Sequence, residues 1–291
     1  MVSRAVVFFH AHPDDEAIFT GGTMALLAAA GWRVVLVVAT AGEEGAAPTE
    51  HGPGAALAER RKAETIRAAE HLGAQRVEFL GYRDSGLDPS AGGPGEPGGG
   101  RPIGAFADAP IDEATTRLAA ILTEEQPAAL VGYDARGIYG HVDHVQVHRV
   151  GGAAAAAAGV PTVYESTVDR EYLHFVETHL VVEATIAAQP ERSAVPWRAS
   201  AEGEPRLGLA AAPLGLSTLE VDCTVDVRRV LPVKRRAMAA HASQIPESSS
   251  ALRLPDADFA AVYGYEWYAR RGPAGPIDAL IAGETAELPG I

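Results

Sequence analysis

Two clusters in the sequence contain side chains of the kind that bind divalent metal ions. The first occupies residues 10–16 and reads HAHPDDE, and the second occupies residues 139–144 and reads YGHVDH. Imidazole nitrogens and carboxylate oxygens are ordinary zinc ligands. We therefore expect a metal site that is assembled from two distant parts of the chain.

The same residue types predict hydrolytic chemistry at that site. Zinc held by two histidines and one carboxylate keeps a position open for water and lowers the pKa of that water to about 7. A carboxylate outside the ligand set can carry the water's proton to a leaving amine, and a donor opposite the metal can stabilise a tetrahedral oxyanion. The candidates are His12, Asp15 and His144 as ligands, Asp14 as base, His141 or Tyr139 at the oxyanion, and Asp143 to orient an imidazole.

The surrounding sequence predicts an α/β sheet that can position both clusters. Apolar runs typical of buried strands occupy residues 4–9, 32–39, 76–80, 128–132 and 161–165, and helical segments occupy residues 17–30, 55–72, 111–126 and 141–159. This alternation predicts a Rossmann-like, doubly wound, mostly parallel sheet. The clusters follow the first and fourth strands, and ligands bind at the carboxyl ends of such strands.

The pattern weakens after residue 165. We predict a catalytic core over residues 1–165 and a smaller C-terminal elaboration over residues 166–291 that completes the substrate cleft. Within the elaboration, residues 216–230 have strand-like alternation, and residues 232–243 and 256–271 are predicted to be helices. Two Gly- and Pro-rich or irregular connections, residues 81–110 and 190–213, are expected to shape the cleft.

The first cluster resembles the signature of the LmbE/PIG-L family of N-acylglucosamine deacetylases. Residues 140–144 are similar to that family's second motif, His-Pro-Asp-His, with Val142 in place of the proline. The resemblance implies a zinc-dependent amide hydrolase that removes an acyl group, expected to be acetyl, from an amino-sugar-containing small molecule. It assigns zinc to His12, Asp15 and His144, the base to Asp14, an electrostatic or acid role to His141, support of His141 to Asp143, and the substrate carbonyl to Tyr139.

Weaker similarities to the mycothiol-pathway members of that family imply substrate-binding residues. Residues 60–64 and 81–86 resemble segments that hold sugar hydroxyls, and residues 234–244 resemble a C-terminal motif. These segments assign substrate contacts to Arg60, Asp84, His241 and Gln244. Between Arg60 and Arg61, we favour Arg60.

Several alternatives stay open at the level of sequence. Ferrous iron could replace zinc, because nitrogen and oxygen ligands suit both metals. The substrate could be the acetylated glucosamine–inositol precursor of mycothiol, a mycothiol S-conjugate cleaved between glucosamine and cysteine, or an N-acyl sugar on a natural product. A non-catalytic Rossmann-like binder is disfavoured, because Gly21 and Gly22 lie inside a predicted helix and form no phosphate loop. An inert family member is disfavoured because every polar residue of the two motifs is in place.

Composition narrows the expected partners. The 291 residues carry a formal net charge of −14, which disfavours nucleic acid and anionic membranes as partners. The single cysteine, Cys223, excludes an intrachain disulfide and a cysteine-rich zinc site. We expect a cytoplasmic enzyme that acts on a small molecule, and a homo-oligomer stays open.

Overall fold

A seven-stranded mixed sheet forms the centre of the molecule. The computed structural model describes residues 4–45, 54–86, 101–176 and 214–283, and within them the strand order is β3-β2-β1-β4-β5-β7-β6. The strands are β1 (Ala5–His10), β2 (Arg33–Thr40), β3 (Arg76–Tyr82), β4 (Ala129–Tyr133), β5 (Thr162–Thr167), β6 (Cys223–Asp226) and β7 (Tyr265–Arg271). The first five are parallel, whereas β7 is antiparallel to both β5 and β6.

Helices cover both faces of this sheet. They are α1 (Gly21–Ala29, after a π-helical turn at Glu16–Thr20), α2 (Ala55–Leu72), α3 (Ile111–Glu125), α4 (Gly137–Gly140), α5 (Val142–Ala158), α6 (Leu231–Ala240), α7 (Ser250–Arg253), α8 (Asp256–Tyr263) and α9 (Pro276–Ile281). Of these helices, none combines the length and the apolar character needed to cross a membrane.

The central strand β1 shows why the sheet needs two covering layers. Val6 and Phe8 pack into one core with α1, α2 and α6, whereas Val7 and Phe9 pack into a second core with α3 and α5. All four side chains are fully buried. A strand that is apolar on both faces is stable only between two layers of helix, so the continuous apolar run predicts this architecture.

The predicted α/β class and mostly parallel sheet are confirmed, but two C-terminal elements differ from prediction. The single helix predicted over residues 256–271 is wrong: α8 ends before Gly264, and β7 follows. The aromatic, alternating run YEWYARR forms that strand because it pairs with both β5 and β6. The strand predicted over residues 216–230 is shorter in the structure: it is β6, with one 3-10 turn before it at Thr218–Glu220 and one after it at Arg228–Val230. Residues 190–213 lie outside the described residues.

The strand order brings the two polar clusters to one crevice. Strands β1 and β4 are adjacent, with Val6 opposite Ala129 and Phe8 opposite Val131. After β1 the chain continues to β2, which lies on one side of β1, and it later forms β4 on the other side of β1. The carboxyl ends of two such strands border the crevice where ligands bind in open parallel sheets.

A buried ion pair joins the C-terminal strands to the first helix. Glu266 on β7 accepts hydrogen bonds from the backbone N–H groups of Gly22 and Thr23, at 2.7 and 2.8 Å. The Nζ atom of Lys234 lies 2.7 Å from the same carboxylate, and both side chains are 1% exposed. The negative charge therefore sits against the positive end of α1, and its desolvation is offset by one cation and two amides.

We predict that Lys234→Met lowers the free energy of unfolding by about 3–5 kcal/mol, because it leaves a buried carboxylate without its cation. Urea denaturation of the full chain measures the change. The matched control is Lys62→Met, since Lys62 pairs on the surface with Glu59, and it should cost about 0.5 kcal/mol or less. Equal effects of the two substitutions would contradict the prediction.

Candidate metal centre and active site

Side chains of His12, Asp15 and His144 converge between the carboxyl ends of β1 and β4. The Oδ2 atom of Asp15 lies 3.4 Å from Nδ1 of His12 and 3.3 Å from Nε2 of His144. Metal–ligand bonds of about 2.0–2.2 Å in a tetrahedral shell separate neighbouring ligand atoms by roughly 3.3 Å. All three residues are buried. The chemistry of these donor atoms, and the spacing of Asp15 from each of the two imidazoles, are those of neighbouring ligands of one divalent ion.

His141 lies close enough to be an alternative ligand. Ligand atoms of His12, His141 and His144 all lie within 4.8 Å of one another, and so do those of the group His12, Asp84, His141 and Asp143. The His12 and His141 rings are 4.7 Å apart between centroids, nearly perpendicular. Geometry therefore allows Asp15 or His141 beside His12 and His144.

Asp143 orients His12 from the side opposite Asp15. Its Oδ2 atom lies 3.1 Å from Nε2 of His12, and Ser85 donates to the same carboxylate through its backbone N–H at 3.0 Å and its hydroxyl at 2.5 Å. Burial alone would lower the pKa of His12, but hydrogen bonds to Asp143, Asp15 and Asp84 raise it well above its usual value. A carboxylate behind an imidazole is the usual support of a metal-binding histidine.

This arrangement differs from the expected support of His141 by Asp143. The contact of Asp143 with His141 is made by the main chain, because the backbone N–H of Asp143 donates to Nδ1 of His141 at 3.2 Å. The carboxylate faces His12 and Ser85 instead. The first turn of α5 explains this, since it directs the His141 ring back over the helix N-terminus.

That backbone contact also determines the tautomer of His141. An accepting Nδ1 carries no hydrogen, so Nε2–H is the donor in the neutral ring. Burial, together with the nearby His12 and His144 rings, lowers the pKa of His141 to about 4. Near pH 7 the substrate-free protein therefore holds a neutral His141 with one N–H to donate. The hydroxyl of Tyr139 lies 3.4 Å from Nε2 of His144, on the same side of the site.

Asp14 differs from its neighbour Asp15 in conformation and in partners. Its backbone has φ of 95°, a left-handed value that is strained for a residue other than glycine. Its carboxylate is 3.3 Å from Arg61, and its side chain is 17% exposed, so solvent reaches it. Burial raises its pKa to about 6, against the opposing charge of Arg61. A carboxylate with such a pKa is well suited to exchange protons near neutral pH.

Arg61, and not Arg60, is the arginine of the pair that reaches this site. Arg61 donates to the carbonyl oxygens of Gly42 and Pro13, both at 2.6 Å. Arg60 instead pairs with Glu64 on the same helix and is 38% exposed in its side chain. The buried face of α2 contains Leu57, Arg61, Thr65 and Ala68. Helical spacing therefore points Arg61 inward and turns Arg60 away, against our preference from sequence.

The other three expected substrate contacts have protein partners. Asp84 is buried, with Oδ1 3.5 Å from Nε2 of His12. His241 is fully buried and bonds Glu16, and Gln244 follows Ser243 in the turn after α6, where it donates to the Ser243 hydroxyl at 3.3 Å. Asp84 belongs to the centre itself, whereas His241 lies behind the loop that carries Asp14.

Sequence reasoning did not anticipate Tyr133, and it assigned no site role to Ser85 or Glu16, although both lie in segments that it singled out. The ring of Tyr133 stacks on His144 at 4.4 Å between centroids, and its hydroxyl bonds Nδ1 of His10 at 2.8 Å. Tyr133 is the last residue of β4, so a polar-tipped aromatic side chain at the carboxyl end of a strand was the available signal. The roles of Ser85 and Glu16 could not be read from those segments, because they depend on contacts with Asp143 and His241, which are distant in the chain.

Comparison with known proteins is consistent with this site. The family model described as GlcNAc-PI de-N-acetylase, PIG-L, matches residues 7–155, which include both clusters. A 1D-myo-inositol 2-acetamido-2-deoxy-alpha-D-glucopyranoside deacetylase of Nocardia farcinica is 35% identical over 93% of this chain and 92% of its own.

Solved structures share the fold at lower identity. The N,N'-diacetylchitobiose deacetylase of Pyrococcus horikoshii has a TM-score of 0.54 and 21% identity, over 92% of this chain and 84% of its own. The 4-carboxy-2-hydroxymuconate hydratase of Pseudomonas putida has a TM-score of 0.52 and 18% identity, over 93% of this chain and 97% of its own. A hydratase among these structures means that the fold alone does not define the reaction. The resemblance found in the sequence motifs is confirmed, and the chain belongs to the PIG-L family.

Proposed function

We propose that this protein is a metal-dependent amide hydrolase that removes the acetyl group from the nitrogen of an amino sugar. The observation that carries the proposal is the convergence of His12, Asp15 and His144 beside a separate, partly accessible Asp14. The names of its relatives support the substrate class, because the Nocardia protein is a deacetylase of an inositol-linked N-acetylglucosaminide. We favour a substrate of that kind over a mycothiol S-conjugate.

His12, Asp15 and His144 would hold the ion, which we expect to be zinc, with ferrous iron as the alternative. When bound, the ion would acidify the attacking water and polarise the acetyl carbonyl. Asp143 and Ser85 keep the His12 ring in place from behind. Asp84 adds a further carboxylate near His12.

Asp14 is proposed as the proton carrier. It takes a proton from the water as the new C–O bond forms, and returns it to the amino nitrogen as the C–N bond breaks. Arg61 supports this role, because it holds the carbonyl of Pro13 and the carboxylate of Asp14 together. The partial exposure of Asp14 supports access to substrate.

His141 is proposed to stabilise the oxyanion. Its Nε2–H is the donor of the neutral ring, since Nδ1 accepts from Asp143, and a neutral imidazole can donate to a developing negative charge. Tyr139, 3.4 Å from His144, is proposed to lie at the substrate carbonyl. Residues 166–291 are proposed to complete the cleft, and the strand order 3-2-1-4-5 supports a Rossmann-like description of the core.

We predict that Asp14→Asn lowers kcat by about 10²- to 10⁴-fold, because the proton carrier is lost. The metal content should stay unchanged. The assay measures acetate released from N-acetylglucosaminyl inositol and, separately, the free glucosamine amine released from a mycothiol S-conjugate, with metal analysis of the same samples. Asp112→Asn, an exposed position at the start of α3, is the control. Wild-type levels of turnover in Asp14→Asn would contradict the assignment.

Substitution of the candidate ligands distinguishes the two possible ligand sets, which contain either Asp15 or His141 beside His12 and His144. His12→Ala, Asp15→Ala and His144→Ala should each abolish stoichiometric metal binding after chelation and reloading. His141→Ala should keep the ion and lower kcat by about 10²- to 10³-fold, as for loss of one oxyanion donor. Loss of metal in His141→Ala with retention in Asp15→Ala would replace our set with His12, His141 and His144. A wild type that binds no metal would favour the non-catalytic binder.

A further inference from the structure

The C-terminal motif that we expected to touch substrate is instead packed behind the active-site loop. His241, at the end of α6, places Nε2 2.5 Å from Oε1 of Glu16. Both side chains are fully buried, at 0% exposure. A substrate in the cleft therefore has no access to His241, and the function proposed above leaves this buried pair without a role.

Glu16 connects this histidine to the proposed base. While Oε1 faces His241, Oε2 accepts the backbone N–H of Asp14 at 3.0 Å. The carbonyl of Asp14 in turn accepts from Ala17 and Ile18, at 3.0 and 3.1 Å. Hydrogen bonds therefore hold the Asp14 main chain at both its N–H and its carbonyl group.

Such restraint is needed because the Asp14 backbone is strained. A φ of 95° is unfavourable for a non-glycine residue and persists only where the surroundings enforce it. Relaxation of this residue would rotate its carboxylate away from Arg61 and from the neighbouring Asp15. The Glu16 side chain holds the N–H side through Oε2, while its other oxygen, Oε1, is held by His241.

We propose that Glu16 and His241 are positioning residues, which hold the Asp14 carboxylate in its reactive orientation through the Asp14 backbone N–H. This inference rests on the proposed function, since it takes Asp14 as the proton carrier. Through His241, the C-terminal part of the chain would contribute to the reaction indirectly, by positioning Asp14. Ser243, two residues further on, bonds Glu64 of α2 through its hydroxyl at 2.6 Å and its N–H at 3.0 Å, and so serves as a matched control.

A double-mutant cycle on the full, metal-loaded chain tests the proposal. His241→Leu should lower kcat about 10- to 100-fold with little change in KM or metal content, as expected for a small misplacement of a reacting group. In an Asp14→Asn background the same substitution should change kcat by less than about 3-fold, because residues that act as a unit are not additive. His241→Gln keeps a donor at the position of Nε2 and should restore most of the activity. Ser243→Ala should leave kcat nearly unchanged.

Amide hydrogen exchange gives a readout that needs no turnover. In the metal-free protein, the Asp14 amide should exchange faster in His241→Leu than in wild type, and at the wild-type rate in His241→Gln and Ser243→Ala. Unchanged exchange in a folded His241→Leu protein, or an equal loss of kcat with and without Asp14, would overturn the proposal. An inactive wild type would instead defeat the proposed function, while the exchange experiment would still decide the role of His241.

Discussion

A buried carboxylate between two imidazoles is the interaction on which the rest of this site depends. Asp15 is nearly excluded from solvent, and one of its oxygen atoms faces ring nitrogens of both His12 and His144. An isolated carboxylate at this depth would be strongly disfavoured, so it needs positive charge or donors nearby. Burial alone would raise the pKa of Asp15, but the charge of His144 and the hydrogen bond from His12 hold it well below its usual value. A divalent ion would satisfy the same requirement.

Because Asp15 is committed to these imidazoles, its neighbour can have a different role. Asp14 and Asp15 are adjacent in sequence, yet the left-handed backbone of Asp14 turns its side chain towards Arg61 and the cleft. Burial raises the pKa of Asp14 to about 6, whereas the pKa of Asp15 is lowered. Two carboxylates with pKa values shifted in opposite directions are typical of sites that divide binding from proton transfer. The strained turn is what separates them.

The extent to which sequence predicts this protein depends on how local each feature is. Strand β1 and the residues after it were predictable, because an apolar run followed by HPDD specifies a buried strand and its polar end. The hydrogen-bond partner of the Asp143 carboxylate could not be predicted, because several histidines lie nearby. The three-dimensional structure shows that this partner is His12. The same holds for Arg61, whose direction depends on the phase of α2, and for β7, which pairs with strands far away in the chain.

Crystals of the zinc-loaded protein, measured at the zinc absorption edge, would test the central claim most directly. We predict one anomalous peak per chain, within about 2.0–2.3 Å of ligand atoms of His12, Asp15 and His144, with the Asp14 carboxylate outside the coordination shell. A peak bound elsewhere, or a fully loaded crystal whose ion does not contact His144, would contradict the account.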